Sequence, residues 1–482
     1  MFSIPSLQAA GQRNTHACRV EITARRVSSG VQITSLLLNW HLGALSKSNG
    51  TFADTGDASK LVSELVHSPG MKECLQWFSR EKQWINDQHL QLCRVPAPTF
   101  FEQDRAKWML GAFQSVDCEA RIDRAGNVVA HMAPGYEGPF VALTAHLDTV
   151  LAARSSDETY AGADGRLHGP GVSDNGAGLT ALLAIARAIR SCPEMELHCA
   201  PLLLVANVGE EGEGNLSGMR YLCRPSAMGS RILAFLILDG PATDHITSQA
   251  LASRRFDVTF NGPGGHSWSD YGIGNPVHAL SRAITLFTET RLTGAMSPRS
   301  SYNFGILEGG TSINSIPTQA RTKVDIRSEN GARLDEISAL LTSCVERALE
   351  IENGRATGGR LSAKIKEIGS RPGGRLSNES ALLNYILAVD AHLGIRSHLD
   401  CASTDANIPL SMNLPAISIG AGGQGGGAHT PHEWFHPDGR ELGLKRILLT
   451  LGLLLQEAGS RPGAVPRQTA AAGDFSATGE RA

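Results

Sequence analysis

The sequence predicts an α/β fold: a mixed, mostly parallel sheet flanked by helices, with a ferredoxin-like α+β domain inserted into it. Three observations carry this prediction. Four segments, "PFVALTAHLDTV", "APLLLVANVGEEGEG", "RILAFLILDG" and "PAISIGAGG", are apolar on both faces, as strands are when helices cover both sides of a parallel sheet. Segments of helical period alternate with them. The middle of the chain then changes character, giving strands with one wet face in the order βαββαβ, the ferredoxin-like pattern.

In chain order, residues 1–60 have weak periodicity and stay unassigned as an N-terminal extension. From residue 61, "LVSELVHS", "MKECLQWFSREKQWINDQHLQLCRV" and "FEQDRAKWMLGAFQSV" read as helices, and Asn127–Ala130 as a short strand. The first buried strand follows, then the helix "NGAGLTALLAIARAIRS" and the second and third buried strands. Residues 253–370 form the inserted domain. It comprises the strand "RRFDVTFNG", a helix at Pro276–Thr290, strands "YNFGILEGG" and "ARTKVDIRS", a helix at Ala332–Glu352 and a strand at Ser362–Ile368. The larger domain, begun at 61–252, resumes over 371–458 with the helix "NESALLNYILAVDAHLG" and the fourth buried strand. The tail, 459–482, is rich in Gly, Ala, Pro and Ser and reads as disordered.

Bulk properties agree with several domains and exclude some functions. A chain of 482 residues exceeds one ordinary core. Hydrophobic residues at 41% and charged residues at 19% suit a soluble globular protein. A net charge of −3 gives no reason to expect nucleic acid. The nine cysteines, an odd number without a C-x-x-C pair, argue against a disulfide framework and a cysteine zinc site, and fit a reducing compartment such as the cytoplasm. No run of about 18 apolar residues exists, so no membrane span is expected. The nearest candidate, "VQITSLLLNWHLGAL", is interrupted by Asn39 and His41 and lies too far in for an ordinary signal peptide.

The polar residues that end the buried strands are the informative ones. The first strand ends with His146 and Asp148, the second with Glu210 and Glu211, and the third with Asp239. The fourth runs through glycines to His429, and Asp174 in "GPGVSDNGAG" precedes a helix. Open α/β sheets bind ligands outside the carboxyl ends of their strands, so these groups are expected at one edge. Each alone has an ordinary explanation: Asp174 as a helix N-cap, His146 as a hydrogen-bonded strand end, Glu210 and Glu211 as a solvated loop, Asp239 as a turn cap. Together they do not, because carboxylates crowded at one edge would not all stay ionised. A pair of divalent cations removes that difficulty. Imidazole and carboxylate donors without thiolate suit zinc, and manganese or cobalt less well. Of the adjacent acids 210 and 211, one would ligate and the other activate a water held between the metals. Two metals about 3.5–4 Å apart lower the pKa of such a water and polarise a carbonyl.

The ordered motifs "TAHLDTV", "GPGVSDNGAG", "GEEGEG", "LDG", "GPGGHSW", "GGTSINSIP", "DIR" and "GGGAHTPHEW" resemble those of the co-catalytic di-zinc peptidases and deacylases. That family includes aminoacylase, glutamate carboxypeptidase, the tripeptide aminopeptidase peptidase T and succinyl-diaminopimelate desuccinylase. The resemblance spans roughly residues 140–434 and implies a zinc-exopeptidase type of sheet domain. It places His146 and Asp239 on one metal, Glu211 and His429 on the other, and Asp174 between both. It makes Glu210 the general base, has Asp148 hydrogen-bond His146 and so fix its tautomer, and implies a cis peptide at Asp174–Asn175. Residues 253–370 become a lid that also mediates dimerisation. In it His266 stabilises the developing oxyanion, commonly across a homodimer, and Asn314 and Arg327 bind substrate. Residues 61–252 and 371–458 become the two parts of the catalytic domain.

The resemblance implies cleavage of small peptides by an exopeptidase or dipeptidase, and "GGHSWSDYGIGNPVHAL" and "STDANIP" are closest in style to the peptidase T-like branch. An N-acyl amino acid deacylase would use the same centre. A non-catalytic metal- or ligand-binding homologue would be marked by loss of Glu210 or a ligand, and none is lost. Within "GAGGQGGGAHTPHEWFHPDG", the histidines 429, 432 and 436 supply no carboxylate between them and do not form a self-contained site. His429 matches the family's ligand position, His432 is a neighbour of uncertain role, and His436 is expected to be structural or solvated.

Overall fold

The four apolar segments lie side by side in the computed structural model of the chain, which describes residues 19–27, 30–39, 55–133, 135–196, 199–290 and 298–460. The strands Ala416–Ile419, Ile232–Leu238, Phe140–His146 and Leu202–Asn207 are neighbours in that order and run parallel. Antiparallel strands flank them. Val128–His131 and Glu119–Ile122 lie on one side and His245–Ala250 on the other, and Gly374–Arg375 and His398–Ala402 pair with the last of these. The central strands are buried throughout or nearly so, which is why their sequences are continuous apolar runs rather than alternating ones.

Helices Gly176–Arg190 and Arg440–Gly459 pack against Phe140–His146. The first of these is Ala- and Leu-rich and buried almost all round, and Arg187 and Arg190 in its last turn suit the negative end of its dipole. The stretch expected as one helix from Met71 is two, Pro69–Arg80 and Lys82–Cys93, meeting at Glu81. The bend brings Trp84 onto Trp77, with ring centroids 5.8 Å apart. In a straight helix that seven-residue spacing would span about 10 Å.

The middle segment has its own hydrophobic core, built around Phe256, Val258, Phe260, Phe287, Val324 and Ile337. Its strands Ala252–Asn261, Ser300–Gly309, Gln319–Ser328 and Ser362–Arg371 form an antiparallel sheet in the order second, third, first, fourth. Helices Pro276–Glu289 and Gly331–Arg355 complete the βαββαβ order. Asn275 caps the first helix through its side chain, with Pro276 following where a missing N–H is harmless.

The described residues up to 39 and those from 55 onward belong to two separate units. In the first, Arg19–Val27 and Gly30–Asn39 pair as an antiparallel hairpin, within the stretch left unassigned from sequence. Most of the expected disordered tail, residues 461–482, lies outside the described residues. Among those residues, no helix is long and apolar enough to cross a membrane.

Candidate active site

The sheet delivers the predicted residues to its carboxyl edge. His146 is the last residue of its strand, Glu210 and Glu211 follow Leu202–Asn207, and Asp239 follows Ile232–Leu238. The peptide between Asp174 and Asn175 is cis. Asn175 caps the next helix by accepting from Gly178 N at 3.1 Å. Its Nδ2 donates to Leu238 O at 2.8 Å, tying the Asp174 loop to the strand that leads to Asp239. His429 lies in the turn between the short paired strands Gln424–Gly426 and Trp434–His436. Its φ of 63° is in the left-handed region, a conformation that persists where the surrounding structure over-determines it.

Asp174 sits between the two imidazoles. Its Oδ1 is 3.1 Å from His146 Nε2 and its Oδ2 is 3.1 Å from His429 Nε2. His429 Nε2 is also 2.9 Å from Glu211 Oε1, and His146 Nε2 is 3.9 Å from Asp239 Oδ1. His146, Asp174 and Glu211 each offer a ligand atom within 4.8 Å of the others. His146 Nδ1 donates to a main-chain carbonyl, that of Asp148, at 2.9 Å, with the Asp148 carboxylate at 3.6 Å. This refines the expected contact. The carboxylate accepts the amide N–H groups of Glu210 and Glu211 and the Thr99 hydroxyl instead. In both arrangements Nδ1–H is the donor on the outer side, so that Nε2 faces the centre.

The crowding of acids appears in their ionisation. Burial, reinforced by the charge on Asp174, pushes Asp239 up to about 7. Burial also raises Glu211, and it carries Glu210 well above the carboxylate range against the opposing pull of Arg371. Asp174 moves the other way. Burial opposes its charge, but hydrogen bonds from His146 and His429 hold it below the usual range. The contact with Asp174 lifts His429 to about 9. A metal-free centre therefore stores protons where a divalent cation would replace them. Two imidazole nitrogens and three carboxylates, with Asp174 shared, fit that replacement and form a candidate site for divalent metal.

The centre opens into a cavity of about 500 Å³ lined by Asp174, Glu210, Glu211, Asp239, Arg327 and His429, among others. A second cavity, about 580 Å³, lies beside Phe78, Ile85 and Leu444 and contains none of the predicted site residues. Arg327 reaches the first cavity with its Nε bonded to Asp325 at 2.6 Å. His266 and Asn314 do not line it. His266 pairs with Ser315 in a short ribbon, and Asn314 bonds Ser267 and Ser312 nearby. His432 is exposed and His436 accepts from Asp438 N, so neither joins the centre.

Two residues that sequence reasoning missed hold the site. Glu433, buried between the exposed His432 and the half-buried Trp434, accepts from Gly171 N at 2.8 Å, Ser173 N at 2.7 Å and Asp174 N at 2.8 Å. Arg371 donates to Glu210 Oε1 at 2.9 Å. The acid within "PHEWF" was in view; nothing local marks Arg371, 161 residues from its partner.

The chain matches the sequence model of peptidase family M20/M25/M40 over residues 142–451. Among solved structures it is similar to a tripeptidase from Staphylococcus aureus subsp. aureus Mu50, at 19% identity and a TM-score of 0.62, over 78% of this chain and 98% of that one. It is also similar to the di-peptidase Dug1p of Saccharomyces cerevisiae, at 14% identity and a TM-score of 0.63, over 80% and 98%. A third is a dinuclear metal binding peptidase from Bacillus subtilis, at 14% identity and a TM-score of 0.56, over 78% and 98%. At these identities the structural likeness is one of fold.

Proposed function

We propose that this chain, a metal-dependent hydrolase belonging to peptidase family M20/M25/M40, is a two-zinc exopeptidase or dipeptidase acting on small peptides. One observation carries the reading: Asp174 lies 3.1 Å from both His146 and His429, with Glu211 and Asp239 alongside and the buried Glu210 in the same cleft. His146 and Asp239 would hold one ion, Glu211 and His429 the other, and Asp174 both. The nitrogen and oxygen donors suit zinc, with manganese or cobalt as substitutes, in keeping with the dinuclear metal binding named for the Bacillus subtilis relative. When bound, such a pair lowers the pKa of a water and polarises a carbonyl.

The chain's own groups do the rest. Glu210 takes a proton from the attacking water and passes it to the leaving amine. Asp148 orders the centre through His146 Nδ1 and the amides of Glu210 and Glu211. Arg327, whose Nη atoms carry no bond among the described residues, clamps a substrate carboxylate. His266 Nδ1 accepts from Trp268 N and Ser269 N at 3.2 and 3.3 Å, leaving Nε2–H to donate to an oxyanion. His266 and Asn314 act on a partner subunit's cleft. Beside them Trp268, Tyr271 and Ile313 are 86%, 87% and 103% exposed, an apolar surface suited to a second copy of the chain. Residues 253–370 serve as lid and dimerisation domain, and 61–252 with 371–458 as the catalytic domain. The odd cysteine count without a C-x-x-C pair supports a reducing compartment such as the cytoplasm.

The test is a substrate panel on zinc-reconstituted protein, setting dipeptides and tripeptides against N-acetyl and N-succinyl amino acids. Turnover of peptides is expected. Turnover of the acylated set alone would make the chain a deacylase and refute the reading.

A further inference from the structure

Glu210 carries a restraint that its role as a base does not explain. Arg371 Nη1 donates to its Oε1 at 2.9 Å, and both side chains are 6% exposed. Arg371 Nη2 donates to the main-chain carbonyl of the same residue. One guanidinium therefore grips both ends of Glu210, its carboxylate and its backbone, and removes the rotamer freedom that a long acidic side chain otherwise keeps. Oε2 has no bond among the described residues, and Glu210 lines the cavity. The carboxylate is held by one oxygen and offers the other.

The grip is itself anchored. Arg371 is the last residue of Ser362–Arg371, the strand by which the chain leaves the inserted sheet, and it pairs with Ser253 at that sheet's opposite entry. Its neighbour Ser370 donates to Asn215 Oδ1 at 3.1 Å and accepts from Arg220. On the other side, Pro372 O accepts from Asn407 Nδ2 at 2.9 Å. Arg371 Nη1 also reaches Ser403 Oγ at 3.1 Å. The segments on both sides of the guanidinium are thus fastened to the loops around the cleft, so it is presented from a fixed point. Lysine would reproduce this only in part, since its ammonium has donors to spare but not the rigid planar fork that fixes both acceptors in one geometry.

We propose that Arg371 is a positioning residue for the reaction: it aims Oε2 of Glu210 at the reacting water from the junction between the two sheets. This rests on the reading of Glu210 as the base. The test compares Arg371→Lys, Arg371→Met, Glu210→Gln and the double variant Glu210→Gln/Arg371→Met, each loaded with zinc and assayed on a cleaved dipeptide. Misplacing a reacting group by about 1 Å lowers turnover by about 10²-fold. Arg371→Met should therefore lose about that much in kcat and Arg371→Lys less, with KM and zinc content close to those of the parent; the melting temperature should fall in Arg371→Met, which strands buried acceptors, and less in Arg371→Lys. On the Glu210→Gln background, Arg371→Met should change kcat little, because it acts through the missing carboxylate. Several results would overturn the proposal: an unchanged kcat in both Arg371 variants, a rise in KM in place of the fall in kcat, loss of zinc from Arg371→Lys, or a full additional loss in the double variant. Normal turnover in Glu210→Gln would instead overturn the base assignment itself.

Discussion

Removing the acceptor at Glu433 should loosen the metal centre without touching a ligand. Its carboxylate takes three N–H bonds, two on Oε1 from Ser173 and Asp174 and one on Oε2 from Gly171. Those bonds fix the loop that presents Asp174. Glu433→Gln, with the amide oxygen in the Oε1 position, keeps two and turns the third into an N–H facing an N–H. Glu433→Ala strands all three donors. A buried donor left unsatisfied costs about 1–3 kcal/mol, so the glutamine variant loses about that much. Alanine loses about 3–6 kcal/mol, because water from the adjoining cleft relieves part of the sum. Some of this loss falls on metal binding, since partners that orient metal ligands are worth about 10–100-fold in affinity. Competition with a chromophoric chelator should place Glu433→Gln about tenfold weaker than the parent and Glu433→Ala about a hundredfold weaker. Melting temperatures should fall in the same order. If the alanine variant holds zinc as tightly as the parent, the loop does not depend on Glu433 and the reasoning fails.

Three further outcomes follow from the same geometry. Without metal, burial pushes Asp239 up to about 7 and the contact with Asp174 lifts His429 to about 9; ligation needs the first ionised and the second neutral, so zinc binding should release protons and weaken as pH falls. Calorimetry in buffers of different ionisation enthalpy reads this directly, and a pH-independent affinity from about pH 6 to 9 would contradict it. His429→Ala should lose one bound zinc by elemental analysis while His436→Ala keeps both; equal losses would overturn the ligand choice. Arg327→Gln should raise KM for peptides about tenfold to a hundredfold, the worth of about 1.5–3 kcal/mol in a charged hydrogen bond. An unchanged KM would remove Arg327 from the substrate site.

The legible parts of this molecule were those with local signatures. Phe140–His146 and its parallel neighbours are buried strands of nearly continuous apolar sequence, and the polar residue that ends each one was expected at the sheet edge. The helix start after the Asp174 loop was legible to within one residue: Asp174 was the N-cap candidate, and the side chain that meets the unpaired N–H is that of the next residue, Asn175. Strands His245–Ala250 and His398–Ala402 escaped notice. The first mixes Thr, Ser and Gln among its apolar residues, and the second is mostly exposed, so neither has a clear period. The break at Glu81 was hidden because amphipathic spacing continues through it. Arg371 was hidden for a different reason, since its role exists only once two distant segments meet at Glu210. Glu433 was quoted within a motif, but its three acceptor contacts belong to a loop about 260 residues earlier in the chain.

Two metal ions in this cleft, with Glu210 taking the proton from the water they activate, would make turnover depend on both the metal and the carboxylate. The most direct measurement titrates chelator-stripped protein with zinc while following both bound metal and cleavage of a dipeptide, for the parent and for Glu210→Gln. The parent's activity should rise to a plateau as the second equivalent binds. Glu210→Gln should bind the same two equivalents yet turn over about 10²–10⁴-fold more slowly. Full activity in the stripped protein, or parental turnover in Glu210→Gln, would contradict this dependence.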